Sequence, residues 1–417
     1  MNRIVTLYKN AFAGLSQPAW MLAVVMFINR AGAMVLPFLS VYLTESLGFS
    51  LKQAGIILSL FGLGSMGGAF LGGWLTDKIG HFKVQVTSLV LGGLGFFTIS
   101  LLHTFEALAV GIFFLACITE SLRPANSSSV AYYAQPENVT RAFSLNRMAL
   151  NLGFSFGPAL GGLLASVSYQ WLFMADGISS VLAGLFFYFY FRHKTGSGVS
   201  LTPTETPKPK LQSPYQDVVY LVYLVCCCLF AIVFFQFFST LPLYYRQIHA
   251  LPESQIGGLF ALNGGLVFSL EMVAVYVLSQ HFSARFLITI GTALVGISFA
   301  LLNIPAGPVM LYIAMTLLSL AEILAMPFMA TIVVQRSGLA NRGAYMGLFT
   351  LSYSIAHVLG PYTGTTLIEA YGFDTLWWAT FGLAVLVALG FYALVPMLEQ
   401  KPEADPKPEE AAVTLAE

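Results

Sequence analysis

Gly73-Trp74-Leu75-Thr76-Asp77-Lys78-Ile79-Gly80-His81-Phe82-Lys83 closes one long apolar run and opens the next. It sets two glycines, one acid and two lysines into a chain that is 57% hydrophobic and only 9% charged. The stretch reads as a tight polar turn between two helices too apolar for water. Gly73 lets two helices approach closely. Asp77 can accept hydrogen bonds from a neighbouring helix N-terminus, which its charge suits. Gly80 permits the reversal, and the basic end favours the cytoplasmic side of a membrane.

Outward from this turn the apolar runs repeat. A helix needs about 20 apolar residues to cross about 30 Å of hydrocarbon. Twelve such runs are expected, near 18–43, 52–76, 82–103, 105–134, 139–167, 171–192, 217–246, 254–280, 283–303, 307–335, 341–369 and 373–398. The fold class is therefore an all-α integral membrane protein with twelve transmembrane helices. Its expected organisation is an N-terminal six-helix bundle (1–192), a linker (193–216), a C-terminal six-helix bundle (217–398) and a polar tail (399–417). The linker holds Thr202, Pro203, Thr204, Pro207, Lys208, Pro209 and Lys210, a composition that suits a polar, structureless connection. No cleavable signal sequence is expected, because the first apolar run has no small-residue cleavage pattern before further spans follow.

Lys and Arg placement sets the orientation. With both termini cytoplasmic, fourteen cations fall on that side, from Arg3 and Lys9 through Lys78, Lys83 and Arg141 to Lys401 and Lys407. Only Lys52 and Arg246 fall on the other. The expected location is a plasma (bacterial inner) membrane with the lipid bilayer as its solvent. A net charge of zero argues against nucleic acid as a partner. Cys117 and the run Cys226-Cys227-Cys228 lie in apolar segments and read as small buried hydrophobes. No metal, nucleotide or nucleophile motif stands out, so no cofactor is expected and the chain does not read as an enzyme. A GxxxxGK[ST] phosphate loop is lacking, which argues against ATP coupling.

The two halves echo each other about 200 residues apart. Glu120, Pro124, Arg141, Gly157-Pro158 and Gly161 recur as Glu322, Pro327, Arg342, Gly360-Pro361 and Gly364, with spacings that agree within two residues. Two repeated bundles facing across a central cavity follow from this. Spans four and ten then take equivalent places, with Glu120 and Glu322 facing the cavity from opposite sides.

Six charged residues stand inside the apolar runs: Arg30, Glu120, Arg123, Arg147, Glu271 and Glu322. Each would cost about 3 kcal/mol at a bilayer centre on insertion scales, so they are expected to pair or to line a substrate or ion path. Arg30 lies about 18 Å into its span. Glu120 and Arg123, three residues apart, share a helix face and can pair. Arginine keeps its charge in a low-dielectric cavity, whereas a carboxyl group with no cation beside it can load and release a proton there. Glu322 has no cation within a helical turn and is the first candidate proton carrier, with Glu120 the second. A cationic substrate would compete with the proton at such a group, which is the physical basis of antiport. Asn29, Asn126 and Gln236 could hydrogen-bond a substrate or simply bridge helices. For Arg147 and Glu271 a helix-tying ion pair is the expectation, and for His357 a helix-bridging contact. The aromatics Phe234, Phe235, Phe237, Phe238, Tyr244 and Tyr245 suit packing first and an amphipathic ligand second.

The turn at Gly73, Asp77, Lys78, Gly80 and Lys83 resembles the signature loop of the major facilitator superfamily. The span count, the linker and the repeat extend that resemblance over the whole chain. In that family the loop latches the two bundles in the outward-facing state. His81 and Phe82 replace the usual basic pair, and the corresponding loop near Ser279–Arg285 has lost the pattern. Gly153-x-x-x-Gly157-Pro158-x-x-Gly161-Gly162 resembles the fifth-span motif of proton-coupled antiporters, especially multidrug exporters. Phe113 stands where that branch carries a fourth-span arginine, and Arg123 beside Pro124 is the candidate substitute. A competing resemblance is to proton-coupled oligopeptide transporters. Asn29-Arg30 and Val41-Tyr42-Leu43-Thr44-Glu45 are similar to their first span, but Met26 and Asn29 replace both glutamates of the ExxER motif. Arg123-Pro124-Ala125-Asn126, Phe235-Gln236-Phe237-Phe238 and Glu322 with Pro327 are similar to their fourth, seventh and tenth spans. The resemblances imply a proton-coupled secondary transporter, expected to work as a monomer, that exports small amphipathic compounds. Their alternative is proton-coupled uptake of dipeptides or similar zwitterions, with Arg30 and Arg123 on the carboxylate and Glu322 on the amine.

Overall fold

Polar breaks in the sequence end helices for local reasons. In a computed structural model, which describes residues 15–135, 139–194, 214–305, 307–337 and 342–399, α1 (Gln17–Ser46) starts where Ser16 Oγ accepts the Ala19 N–H at 3.3 Å. α2 (Leu51–Ile79) opens on a reciprocal cap between Ser50 and Gln53. Gly80, at φ 86°, turns the chain into α3 (His81–Ile99), an angle that a side chain would resist. α4 (Phe105–Tyr133), α5 (Val139–Ala165) and α6 (Gln170–Phe191) complete the first half. The second half holds α7 (Val218–Gln247), α8 (Glu253–His281, bent between Glu271 and Val273), α9 (Ala284–Asn303) and α10 (Pro308–Ser337). The helical run Arg342–Glu399 is too long for one span, and Gly372 at φ 84° breaks it into α11 (342–371) and α12 (373–399). These twelve helices are the twelve spans expected. Most of the linker (195–213) and the tail (400–417) lie outside the described residues.

The repeat is visible in the backbone. α1 is interrupted at Gly32–Met34 and α7 at Phe235 and Thr240, the same place in each half. Pro37 and Pro242, just beyond the two breaks, lack the N–H that an unbroken helix would use. The second half is filled with aromatics: Trp377, Tyr220, Tyr223, Tyr245, Phe230, Phe237, Phe260 and Phe299 are all under 2% exposed. Trp377 stacks on Phe299 with ring centroids 5.2 Å apart. Phe234, Phe235 and Tyr244 are buried with them, so this aromatic load is mostly core.

The halves meet along two seams, α5 against α8 and α2 against α11. Small residues make both possible. Gly162 abuts the Glu253 carbonyl, Gly257 abuts the Pro158 carbonyl, and Gly62 abuts His357. At the end of the molecule opposite the Gly73–Lys83 turn the halves are also tied by polar contacts. Tyr169 donates to Glu253 Oε1 at 2.8 Å, and Arg246 lies 3.8 Å from Glu253 and 3.9 Å from Glu45. At the turn's own end, Gly73 on α2 and Gly347 on α11 face open space. The Tyr169, Glu45, Arg246 and Glu253 contacts close the opposite end.

Gly62→Val tests the α2–α11 seam. A Cβ there would lie 2.5 Å from the His357 carbonyl oxygen, a backbone atom that moves only if α11 moves. The expected cost is about 1–3 kcal/mol, read as a lower thermal midpoint of the purified protein.

Candidate functional site

The polar residues of α1, α4 and α6 converge on a cavity of about 100 Å³ inside the first half. Asn29, Arg30, Thr119, Glu120, Asp176 and Ser180 supply its polar wall, and Phe61, Phe96 and several leucines the apolar one. Arg30 reaches the cavity because it ends the inner part of α1. No hydrogen bond or ion pair holds its guanidinium among the described residues, so its donors are left to the cavity. Glu120 ends the first segment of α4, and Arg123, on the next turn, pairs with it at 2.9 Å. The Arg123 side chain itself is 65% exposed. His357 of α11, in the other half, lies within electrostatic reach of Glu120.

Glu322 belongs to a second constellation, not to this cavity. Its Oε2 accepts from Asn263 Nδ2 at 3.3 Å, and Asn263 also donates to Ser319 at 3.0 Å. The cation nearest in its electrostatic surroundings is Arg147, on α5 of the opposite half. Arg147 makes an ion pair with Glu271 on α8, whose other oxygen accepts from Asn151 Nδ2 at 3.1 Å. The pair ties helices together, as its sequence position suggested, and the two helices belong to different halves.

The remaining candidates divide. Gln236 is 2% exposed, and its amide is spent on the Ile232 and Gly360 carbonyls (3.1 and 3.0 Å) and on Thr240 Oγ1 (2.9 Å). That is helix bridging, and it leaves Gln236 without a free donor for a substrate. Asn126 is also buried and accepts from Gln85 Nε2 at 3.5 Å. Gln85 in turn accepts from Ser129 at 2.6 Å, and Ser129 meets His81 Nδ1 at 2.9 Å. Ser129 has one proton and donates it to Gln85, so His81 Nδ1 is the donor in that contact. A polar chain thus runs from the turn to the fourth span. His357 stacks on Phe235 at 3.6 Å, a helix-bridging contact as expected.

The turn residues hold no partner in the other half among those described. Asp77, Lys78 and Lys83 are exposed, and Lys78 Nζ sits 4.1 Å over the Trp74 ring. Gly157 and Pro158 face different ways: Gly157 rests on the Arg30 and Ala33 carbonyls of α1 in its own half, and the Pro158 carbonyl meets Gly257 of α8 in the other half.

One group went unread. Asp176 of α6 is only 3% exposed and accepts the Met34 N–H at 3.2 Å and the Val35 N–H at 2.8 Å. Its signal was available, because Met174-Ala175-Asp176-Gly177 places an acid inside an apolar span like the six charges already named.

Comparison with known proteins agrees with this architecture. The family model described as Major Facilitator Superfamily matches residues 20–277 and 272–417. The "Uncharacterized MFS-type transporter YttB" of Bacillus subtilis (strain 168) is 29% identical over 85% of this chain and 89% of its own. The "Na(+), Li(+), K(+)/H(+) antiporter" of Planococcus maritimus is 25% identical over 80% and 85%. "Multidrug resistance protein MdtH" of Escherichia coli is 21% identical over 80% and 82%. Among solved structures, the peptide transporter POT in complex with sulfate superposes with a TM-score of 0.78 at 18% identity, covering 93% of this chain and 96% of that one. The likeness is one of fold. Twelve spans in two repeated halves, a polar turn after the second span and a family match over nearly the whole chain lead to one conclusion: this protein is a membrane transporter of the major facilitator superfamily.

Proposed function

We propose that this transporter is a proton-coupled antiporter that exports small amphipathic, cationic or zwitterionic compounds. The observation that carries the reading is Glu322. It is a carboxylate in a membrane span, beside a seam between the halves, held by one amide hydrogen bond, with Arg147 of the opposite half in its electrostatic surroundings. Such a group can exchange a proton for a cation as the seam alternates its exposure. Glu120, with Arg123 and Arg30, is the second carboxylate on this path. Arg30, Asn29 and Arg123 are the proposed substrate contacts. The names of two relatives, one a multidrug resistance protein and one a cation/proton antiporter, support this direction. In our reading both termini and the Gly73–Lys83 turn are cytoplasmic, and the Glu45, Arg246 and Glu253 contacts close the face opposite them. The turn then closes only in the opposite state, with Asp77, Gly80 and the lysines meeting the other half.

Binding tests the reading. Tetraphenylphosphonium should bind the purified protein more weakly as pH falls, approaching about tenfold per pH unit if one proton replaces one cation. In Glu322→Gln the pH dependence should vanish. Binding that ignores pH in the unaltered protein would remove proton–cation competition from the mechanism.

A second reading has one observation behind it. The unpaired guanidinium of Arg30 suits a carboxylate, so a dipeptide or similar zwitterion could be the substrate, taken up with protons. Binding of a dipeptide in place of the lipophilic cation, lost in Arg30→Gln, would favour it.

A further inference from the structure

Asp176 sits at the break in α1, in the wall of the Arg30 cavity. α1 is broken at Gly32–Met34, and α6 holds both sides of the break. Before it, Asn29 Nδ2 donates to Ser180 Oγ at 3.2 Å. After it, the Asp176 carboxylate accepts the N–H groups of Met34 and Val35. Between them, the Ser179 hydroxyl occupies the place that a side chain on Gly32 would need. α5 presses from the opposite flank: a Cβ on Gly153 would lie 2.7 Å from Arg30 Cβ, and one on Gly157 would lie 3.0 Å from the Arg30 carbonyl. The backbone of Arg30 is therefore clamped while its guanidinium stays in the cavity.

The outer part of α1, residues 35–46, begins on Asp176. About ten residues on, or about 15 Å of helix, it carries Glu45, which faces Arg246 of the second half at 3.9 Å. Arg246 in turn faces Glu253, the acceptor from Tyr169. One rigid piece of chain thus links the cavity to the closed end of the molecule.

We propose that Asp176 is a positioning residue for transport. Its carboxylate anchors residues 35–46 to α6 and so transmits the state of the Arg30 cavity to the Glu45–Arg246–Glu253 gate. Oδ2 accepts both N–H groups and Oδ1 lies 3.3 Å from the Met34 nitrogen as well, so an amide in this place would turn its N–H₂ toward the Met34 donor. The charged groups that share the cavity with it are Arg30 from α1 and Glu120 from α4. α2 and α3 bring only Phe61, Ser88, Leu89 and Phe96 to its wall. The inference rests on the alternating motion of the two halves, not on the coupling ion or the substrate.

A gate distance tests it. Spin labels go on Ser46→Cys and Ile248→Cys, exposed positions on either side of the closed end, in a background whose four native cysteines are replaced. Pulsed electron resonance in nanodiscs then reads the separation. Asp176→Asn should lose the short-distance population. Arg30→Gln should shift the distribution in the Asp176 background and leave it unchanged in the Asp176→Asn background, a non-additive pair. Equal shifts from Arg30→Gln in both backgrounds would overturn the coupling, as would an Asp176→Asn protein with the parent distribution. If Asp176→Asn does not survive purification, Asp176→Glu keeps the charge but displaces it by one methylene. It should still move the gate peak, and an unmoved peak would equally overturn the proposal.

Discussion

Replacing Glu322 with glutamine should reduce pH-gradient-driven transport in proteoliposomes to the level of empty vesicles. The substitution is nearly isosteric. A glutamine carbonyl can still accept from Asn263 Nδ2, which lies 3.3 Å from Glu322 Oε2, so the local helix contact survives. What is lost is the exchangeable proton and the charge that Arg147 faces across the seam. The change in stability should stay within about 1 kcal/mol, since the Asn263 donor keeps its acceptor. Flux and fold are thus separated: a monodisperse, thermally unchanged protein that no longer uses the gradient. Undiminished gradient-driven flux in Glu322→Gln would remove this carboxylate from the coupling scheme.

The second large effect falls on stability. Asp217, just before α7, is 4% exposed and receives Arg336 Nε at 2.8 Å, Arg336 Nη2 at 3.2 Å, the Tyr345 hydroxyl at 3.1 Å and the Tyr220 N–H at 3.1 Å. One carboxylate thereby staples the starts of α7 and α11 to the end of α10. Asp217→Ala would break a buried ion pair by removing its carboxylate, at a cost of about 3–5 kcal/mol, and remove a helix cap worth about 1 kcal/mol more. A thermal midpoint lower by about 10 °C or more is expected. The staple is also pH-dependent. Burial alone would raise the Asp217 pKa, but the Arg336, Tyr220 and Tyr345 hydrogen bonds outweigh it and hold the pKa below its ordinary 3.8. With the folded value depressed, the stabilisation is present above about pH 4 and is lost as pH falls through the folded pKa. A midpoint of Asp217→Ala within 2–3 °C of the parent, a shift of about 1 kcal/mol, would show that the staple is dispensable.

The legible part of this protein is local. Twelve spans were readable because each is a long apolar run ended by caps and turns such as Ser50–Gln53 and Gly80. The Glu120–Arg123 pair was readable because three residues separate partners on one helix face. Partners that only the fold brings together were not. Nothing in the sequence says that Arg147 finds Glu271 across two halves, or that Gln236 spends its amide on the Gly360 carbonyl. Asp176 was missed for a related reason. Its partners are backbone N–H groups, and those are free only because α1 breaks at Gly32–Met34, where no proline marks the interruption itself. Glu120 and Glu322 were expected to face one central cavity, but only Glu120 lines the polar cavity, while Glu322 is held by Asn263 on α8. The repeat could not show that the cavity at Arg30 belongs to the first half while aromatics fill the second.

Proton movement measured beside substrate movement tests the central claim most directly. Purified protein in liposomes, with a pH-sensitive dye trapped inside, would be offered lipophilic cations and dipeptides one compound at a time under an imposed pH gradient. The account predicts that protons move against the direction of a lipophilic cation, and that Glu322→Gln abolishes the signal. Protons moving together with a dipeptide, and none moving with any lipophilic cation, would contradict export by antiport.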